Sequence, residues 1–241
     1  MSDAVYIGIG TPQANPTVEI EFRQLVRPPV HVLATRLTSS SPAPDERLVD
    51  YAEQLPRAVA SFDSMPLSAF GFACTGSSYL LDPEREERLV AAAERESRVQ
   101  IVMATQAIRR ELEGRGARRI AMLCPYPQSL CDAAVQYWQR LGHDVVAVSR
   151  IDVGADTRAI YRITTDEVRK AIDAFDTRDA DLLLLSGTGM PTLGALKSSA
   201  LPAISSNLCL ATELLRRVRH WPAAEAADID KLLQPAAQAG V

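Results

Sequence analysis

Histidine is nearly missing. The 241 residues hold three, His31, His143 and His220, and none stands in an HExxH or paired arrangement. The usual ligands of a zinc site are therefore absent, and no metal is expected. The usual general base of a Ser-His-Asp triad is missing too, because no histidine lies near a candidate strand end. Cysteine is scarce: Cys74, Cys124, Cys131 and Cys209 are scattered, with no CxxC or Cys/His spacing. Reduced thiols are the expectation for a chain read as cytoplasmic. No apolar run approaches the roughly 20 residues of a bilayer crossing. The opening Met1-Ser2-Asp3 has no basic segment followed by an apolar stretch, so neither a membrane partner nor a secretory leader is expected. Charge of neither sign dominates, with 26 Lys+Arg against 30 Asp+Glu and a net of −4. That leaves no basic stripe for nucleic acid. A P-loop is lacking, as is a GxGxxG after the first strand-like run, which disfavours nucleotide binding.

What is present is a well-provisioned core, 47% hydrophobic and 23% charged. Short apolar runs alternate with amphipathic stretches, the pattern of a parallel α/β fold. Strands are predicted at Val5–Ile9, Val30–Leu37, Ala69–Ala73 and Val99–Met103, then at Ile120–Leu123, Val145–Ser149, Leu182–Leu185 and Ala203–Ser205. Leu182-Leu183-Leu184-Leu185 is the clearest, since a parallel strand buried on both faces reads as a continuous apolar run. Helices fall between them. Asp45–Ser61 carries Pro56 as a point of kinking or splitting. Asp82-Pro83-Glu84 offers an N-cap, a first-turn proline and an early acid to the helix Glu86–Arg98. Further helices are predicted at Thr105–Glu113, Ser129–Leu141, Thr165–Phe175 with Thr164 as N-cap, and Leu208–His220. The chain divides into an N-terminal half (1–114), a C-terminal half (115–221) and an alanine-rich tail (222–241) read as one loosely attached helix. The turn around Gly114–Arg118 is too short to free the halves, which should pack as one unit.

Cys74-Thr75-Gly76 and Gly187-Thr188-Gly189 are one short loop written twice, 113 residues apart. Thr11-Pro12-Gln13 and Cys124-Pro125-Tyr126 share that spacing, as do Ile7 and Ile120. This argues for a duplicated α/β half with a ligand held between the copies, beyond the carboxyl ends of the strands. Small polar loops there supply N–H and O–H donors suited to a carboxylate. Cys74, at a strand end before a donor-rich turn, is the candidate nucleophile, its thiolate favoured by those donors; the competing reading is a small core hydrophobe. Thr75, Gly76, Thr188 and Gly189 are the paired cradle, or ordinary turn residues. Tyr126 can donate to an oxyanion, or pack at a rim. Asn15 can do the same opposite it, or form a turn with Pro16. Cys124 sits at the matching strand end and is a further accessible thiol, whereas Cys131 and Cys209 read as packing residues. Asp152, Asp156 and Arg158 either line the site or sit in a solvated loop.

These residues resemble the Asp/Glu racemase superfamily, and within it the branch of maleate cis-trans isomerases and arylmalonate decarboxylases. The likeness spans most of residues 4–220. It rests on Ile7-Gly8-Ile9-Gly10-Thr11-Pro12-Gln13-Ala14-Asn15, Ala73-Cys74-Thr75-Gly76, Pro125-Tyr126 and Leu185-Ser186-Gly187-Thr188-Gly189. The resemblance implies two pseudo-symmetric parallel-sheet halves with the active site between them, and neither metal nor organic cofactor. Asn15 and Tyr126 then contact substrate carboxylate and Cys74 is the nucleophile. Gly187 takes the place of the second cysteine that racemases of the superfamily use, and Thr157 that of a binding asparagine. Two-base racemisation is thereby disfavoured. The leading expectation is an isomerase of the maleate type acting on a small mono- or dicarboxylate through one cysteine. The alternatives are an arylmalonate-type decarboxylase with Cys74 as sole proton donor, and a non-catalytic carboxylate-binding relative. A homo-oligomer is the default assembly.

Overall fold

The chain forms two four-stranded parallel sheets with helices on their faces, as expected from the alternation of apolar and amphipathic segments. The computed structural model describes residues 4–154 and 157–219. The tail from 222 onward, His220 and Asp156 lie outside the described residues. In the first sheet the strands β1 (Val5–Pro12), β2 (Val30–Leu37), β3 (Leu67–Phe72) and β4 (Ile101–Met103) run in the order β2-β1-β3-β4. In the second, β5 (Arg119–Cys124), β6 (Asp144–Arg150), β7 (Leu182–Leu185) and β8 (Ala203–Ser205) repeat that order as β6-β5-β7-β8. Ile7 lies between Val32 and Ala69, and Ile120, its repeat partner, between Val145 and Leu182.

The 113-residue spacing carries β1 to β3 onto β5 to β7 and then fails, for β8 begins 102 residues after β4. A helix accounts for the change. Between β3 and β4 the chain forms α4 (Thr75–Tyr79) and the long α5 (Pro83–Ser97), whereas between β7 and β8 it makes only a 3-10 turn, Leu196–Ser198. α5 starts as its sequence demands, with Asp82 accepting from the Arg85 N–H at 2.6 Å and Pro83 in the first turn.

Three segments depart from expectation, the first being α4, where a turn was expected. Thr17–Leu25, for which no element was predicted, is helix α1. The predicted helix Asp45–Ser61 is two, α2 (Pro44–Glu53) and α3 (Leu55–Ala60), with Pro56 in the first turn of the second, where its missing N–H costs nothing. The remaining helices are α6 (Ala104–Gly114), α7 (Gln128–Arg140), α8 (Thr165–Asp173) and α9 (Ser206–Arg217). α8 opens with a full capping box between Thr164 and Glu167.

One apolar core runs through both sheets, from Ile7 and Ile9 to Leu183, Leu210 and Leu214. α9 is its axle, with every residue from Ser206 to Leu215 buried. It packs on β3, β4, α1 and α6 of the first half. Gly71 on β3 permits that approach, because a Cβ there would stand 2.7 Å from Leu214 Cδ1 and 2.8 Å from Ile9 Cδ1. Each leucine buried this fully contributes about 2 kcal/mol. Among the described residues no helix is long and apolar enough to cross a membrane.

Candidate active site

The loops after β1, β3, β5 and β7 meet where the two sheets point their carboxyl ends at each other, and enclose a cavity of about 790 Å³. Asn15, Cys74, Thr75, Gly76, Tyr126, Gly187, Thr188 and Gly189 all line it. Cys74 is the only one of the four cysteines on its wall. Arg158 lines it too, while Asp152 does not. The expected accessibility of Cys124 is corrected: it is completely buried, beside Cys131.

Cys74 occupies the N-cap position of α4, in extended backbone with φ −148°. Ser77 Oγ donates to its sulfur at 3.2 Å. The expectation that these surroundings favour the thiolate holds for the donors and fails for the balance. Burial pushes the Cys74 thiol above its ordinary range, and the donors on Ser77 and Gly76 pull it back only partly. The resting sulfur is a thiol with its donors already in place.

Opposite it, hydroxyls bridge the halves. Thr75 and Tyr126 stand 2.7 Å apart, Tyr126 and Ser186 3.3 Å, and Ser186 and Tyr79 2.8 Å. Burial pushes Tyr126 well above the usual phenol range, so it remains a neutral donor. On the other wall Asn15 Nδ2 donates to Thr188 Oγ1 at 3.3 Å, and Thr188 donates to the Ala73 carbonyl at 2.9 Å. Asn15 is held by its own Oδ1, which accepts from the Thr17 N–H at 3.0 Å. Two hydroxyls and one amide thus aim into the cavity beside one sulfur, which is the donor set of a carboxylate cradle.

Gly187 stands in the second-half position matching Cys74. Its φ of +132° belongs to the region that favours glycine, and a Cβ there would lie 3.1 Å from Pro125 Cδ and 3.5 Å from the Tyr126 hydroxyl. Gly187→Cys is therefore expected to cost about 1–3 kcal/mol of stability in urea unfolding. It is not expected to create a second working thiol, which solvent-deuterium exchange into an α-protonated carboxylate would reveal.

The arylmalonate decarboxylase family model matches residues 8–231. The chain belongs to the arylmalonate decarboxylase family. No curated protein matches it. Its solved structural relatives include a variant of the maleate isomerase Iso from Pseudomonas putida with maleate, at 20% identity and a TM-score of 0.79, covering 92% of this chain and 95% of that one. A Nocardia farcinica maleate cis-trans isomerase mutant with a covalently bound succinylcysteine intermediate matches at 23% identity and 0.79, covering 89% and 93%. A liganded arylmalonate decarboxylase mutant, with one glycine changed to cysteine and one cysteine to serine, matches at 18% and 0.74, covering 89% and 92%. At these identities the likeness is one of fold.

In this arylmalonate decarboxylase family member several site residues lay beyond sequence reasoning. Tyr51, Tyr161, Leu48, Leu130 and Ile160 add an apolar and aromatic wall, and Arg47 brings positive charge. Behind the second-half loop lies Glu21 of α1, a buried carboxylate that accepts from the N–H groups of Thr192 (2.6 Å) and Leu193 (2.9 Å) and from Asn207 Nδ2 (2.7 Å). The same Asn207 amide donates to the Thr188 carbonyl at 3.0 Å. Among the described residues no group of three or more His, Cys, Asp or Glu side chains could hold a metal ion.

Proposed function

We propose that the protein is a cofactor-independent isomerase of the maleate cis-trans type, acting on a small unsaturated carboxylate through Cys74. The observation that carries this reading is the placement of Cys74, alone among the cysteines, on a cavity wall that also holds Thr75, Tyr126, Asn15 and Thr188. The succinylcysteine seen in the Nocardia relative supports a cysteine adduct as chemistry this fold can host. In the proposed reaction the Cys74 thiolate adds to one alkene carbon. The π electrons move onto the adjacent carboxylate, giving an enediolate whose charge is met by the hydroxyls of Thr75 and Tyr126 and by the Asn15 amide, which Thr188 holds in place. The former double bond is then single and rotates. Collapse of the enediolate restores the alkene in the trans form and expels the thiolate, so no proton or electron is consumed overall.

Incubation with maleate and detection of fumarate by NMR tests the assignment. Conversion by the wild type and none by Cys74→Ala is the expected pair, and absence of conversion by the wild type removes maleate as the substrate. Because burial holds the Cys74 thiol up, the thiolate fraction grows as pH rises. Alkylation of Cys74 by iodoacetamide should accelerate with pH, with a midpoint above the roughly 8.5 of a free cysteine. A midpoint below that value contradicts the burial argument.

A second reading is favoured by the cavity itself. A volume near 790 Å³ suits ligands much larger than a four-carbon diacid, and the family model is that of the decarboxylases. Decarboxylation of a disubstituted malonate needs a single proton donor, which Cys74 can be. From the first-half face that proton arrives opposite to one delivered from the second-half position. Carbon dioxide release from an arylmalonate, with product of the inverted configuration, is the outcome that selects this reading over isomerisation.

A further inference from the structure

Cys124 and Cys131 do nothing in the chemistry just described, yet they are the two sulfurs of the chain placed side by side. Cys124 ends β5 and Cys131 lies in the first turn and a half of α7, and their Sγ atoms stand 3.0 Å apart with both residues buried. A disulfide bond is about 2.05 Å long, so roughly 1 Å of approach joins them. Between the two in sequence runs the Pro125-Tyr126-Pro127 loop, and Cys131 reaches it: its Sγ lies 3.9 Å from the Tyr126 carbonyl, to which Arg150 donates at 3.2 Å. Pro125, Tyr126, Pro127 and Leu130 line the cavity, which brings small solutes to the layer covering the pair.

We propose that Cys124 and Cys131 are a peroxide-oxidised dithiol that closes to a reversible disulfide beneath the Tyr126 loop. Cys131 is the attacking sulfur. The hydrogen bond from Cys124 and then the nearby Arg150 charge hold its thiol below the ordinary range, while Cys124 is pushed well above it. The Cys131 thiolate attacks one peroxide oxygen, the O–O bond breaks, and the departing hydroxide leaves as water with the thiol's former proton. Cys131 is then a sulfenic acid. The Cys124 sulfur attacks the Cys131 sulfur, the S–O bond breaks, and hydroxide takes the Cys124 proton as a second water. Two thiols are oxidised by two electrons and one hydrogen peroxide is reduced to two waters. Cys74 and Cys209 have no such partner among the described sulfurs, and their oxidation runs instead toward sulfinic acid.

The test uses the full-length protein treated with hydrogen peroxide, denatured, alkylated and digested with trypsin. The peptide Ile120–Arg140 contains both residues and no internal basic residue. It is expected to lose the mass of two hydrogens and to take no alkyl group, and prior dithiothreitol treatment should restore two alkyl groups. Cys74→Ala should give the same peptide result, which separates the pair from oxidation of the nucleophile. In Cys131→Ser the mass loss should vanish. A wild-type peptide that stays doubly alkylated while Cys74 is oxidised, or that gains oxygen instead of losing hydrogen, overturns the proposal without reliance on any variant.

Discussion

Turnover by Cys74→Ala should fall by at least about 10³-fold, the scale on which removal of a covalent nucleophile acts. The argument is one of substitution: among the described sulfurs none can stand in. Cys124 and Cys131 lie behind the Tyr126 loop and off the cavity wall, Cys209 lies within α9, and Gly187 has no side chain in the mirrored position. The fold should survive the change. The lost atom is one sulfur at the cavity wall, with the hydrogen bonds it accepts from Ser77 and Gly76, each worth about 1 kcal/mol. Binding should survive too, because the carboxylate donors sit on Thr75, Tyr126 and Asn15. Thermal stabilisation by succinate, measured on both proteins, separates the two effects: equal shifts with lost turnover identify a chemical role. If Cys74→Ala retains turnover within tenfold of the wild type, addition by the thiol is not the mechanism. Cys74→Ser should be as inactive, since a serine hydroxyl is far less readily ionised than a thiol and burial penalises its anion as well.

The parts of this molecule that were legible in the sequence share a physical property, which is that local pattern and final environment coincide. Four consecutive leucines at 182–185 are buried on both faces of a parallel strand, and no other placement hides them. The repeated Cys-Thr-Gly and Gly-Thr-Gly loops end equivalent strands, so their spacing alone foretold that they meet. What was illegible depended on distant partners. In α1, Val18, Ile20 and Phe22 alternate with Glu19, Glu21 and Arg23, a period closer to a strand than to a helix. The structure nevertheless exposes Ile20 and buries Glu21, because the acceptors that Thr192, Leu193 and Asn207 require are supplied from there. The short α4 was hidden for a different reason: Thr-Gly-Ser-Ser reads as turn chemistry, and its helical turn is fixed by burial against α2 and α7 rather than by propensity. The sign of the Cys74 shift was also beyond sequence reach, for it turns on how deeply the residue is buried.

Glu21→Ala is expected to be the most destabilising single change at the site, by about 3–5 kcal/mol, because it strands several buried donors at once. Glu21 belongs to the first half, and its partners Thr192, Leu193 and Asn207 lie 171 to 186 residues further along the chain. Loss of that size is a large share of the 5–15 kcal/mol that holds a typical domain together. Urea unfolding measures it. The effect should also reach the site, since Asn207 divides its amide between Glu21 and the Thr188 carbonyl, so the affinity for a carboxylate should weaken in step with stability. Glu21→Gln should fall between, keeping one acceptor for the backbone N–H groups while turning a second amide toward that of Asn207. The pH dependence gives an independent reading. Burial outweighs the hydrogen bonds from Leu193, Asn207 and the N–H and hydroxyl of Thr192 and raises Glu21 above its ordinary value of 4.5, so the folded state takes up this proton more readily than the unfolded chain. Its favourable contribution is complete below the unfolded value and is lost as pH rises through the folded one. Wild-type stability should therefore decline as pH rises above the unfolded value, by an amount that Glu21→Gln abolishes. A Glu21→Ala protein less than about 1 kcal/mol weaker than the wild type, with an unchanged pH profile, would show that this carboxylate does not tie the second-half loop to the first half.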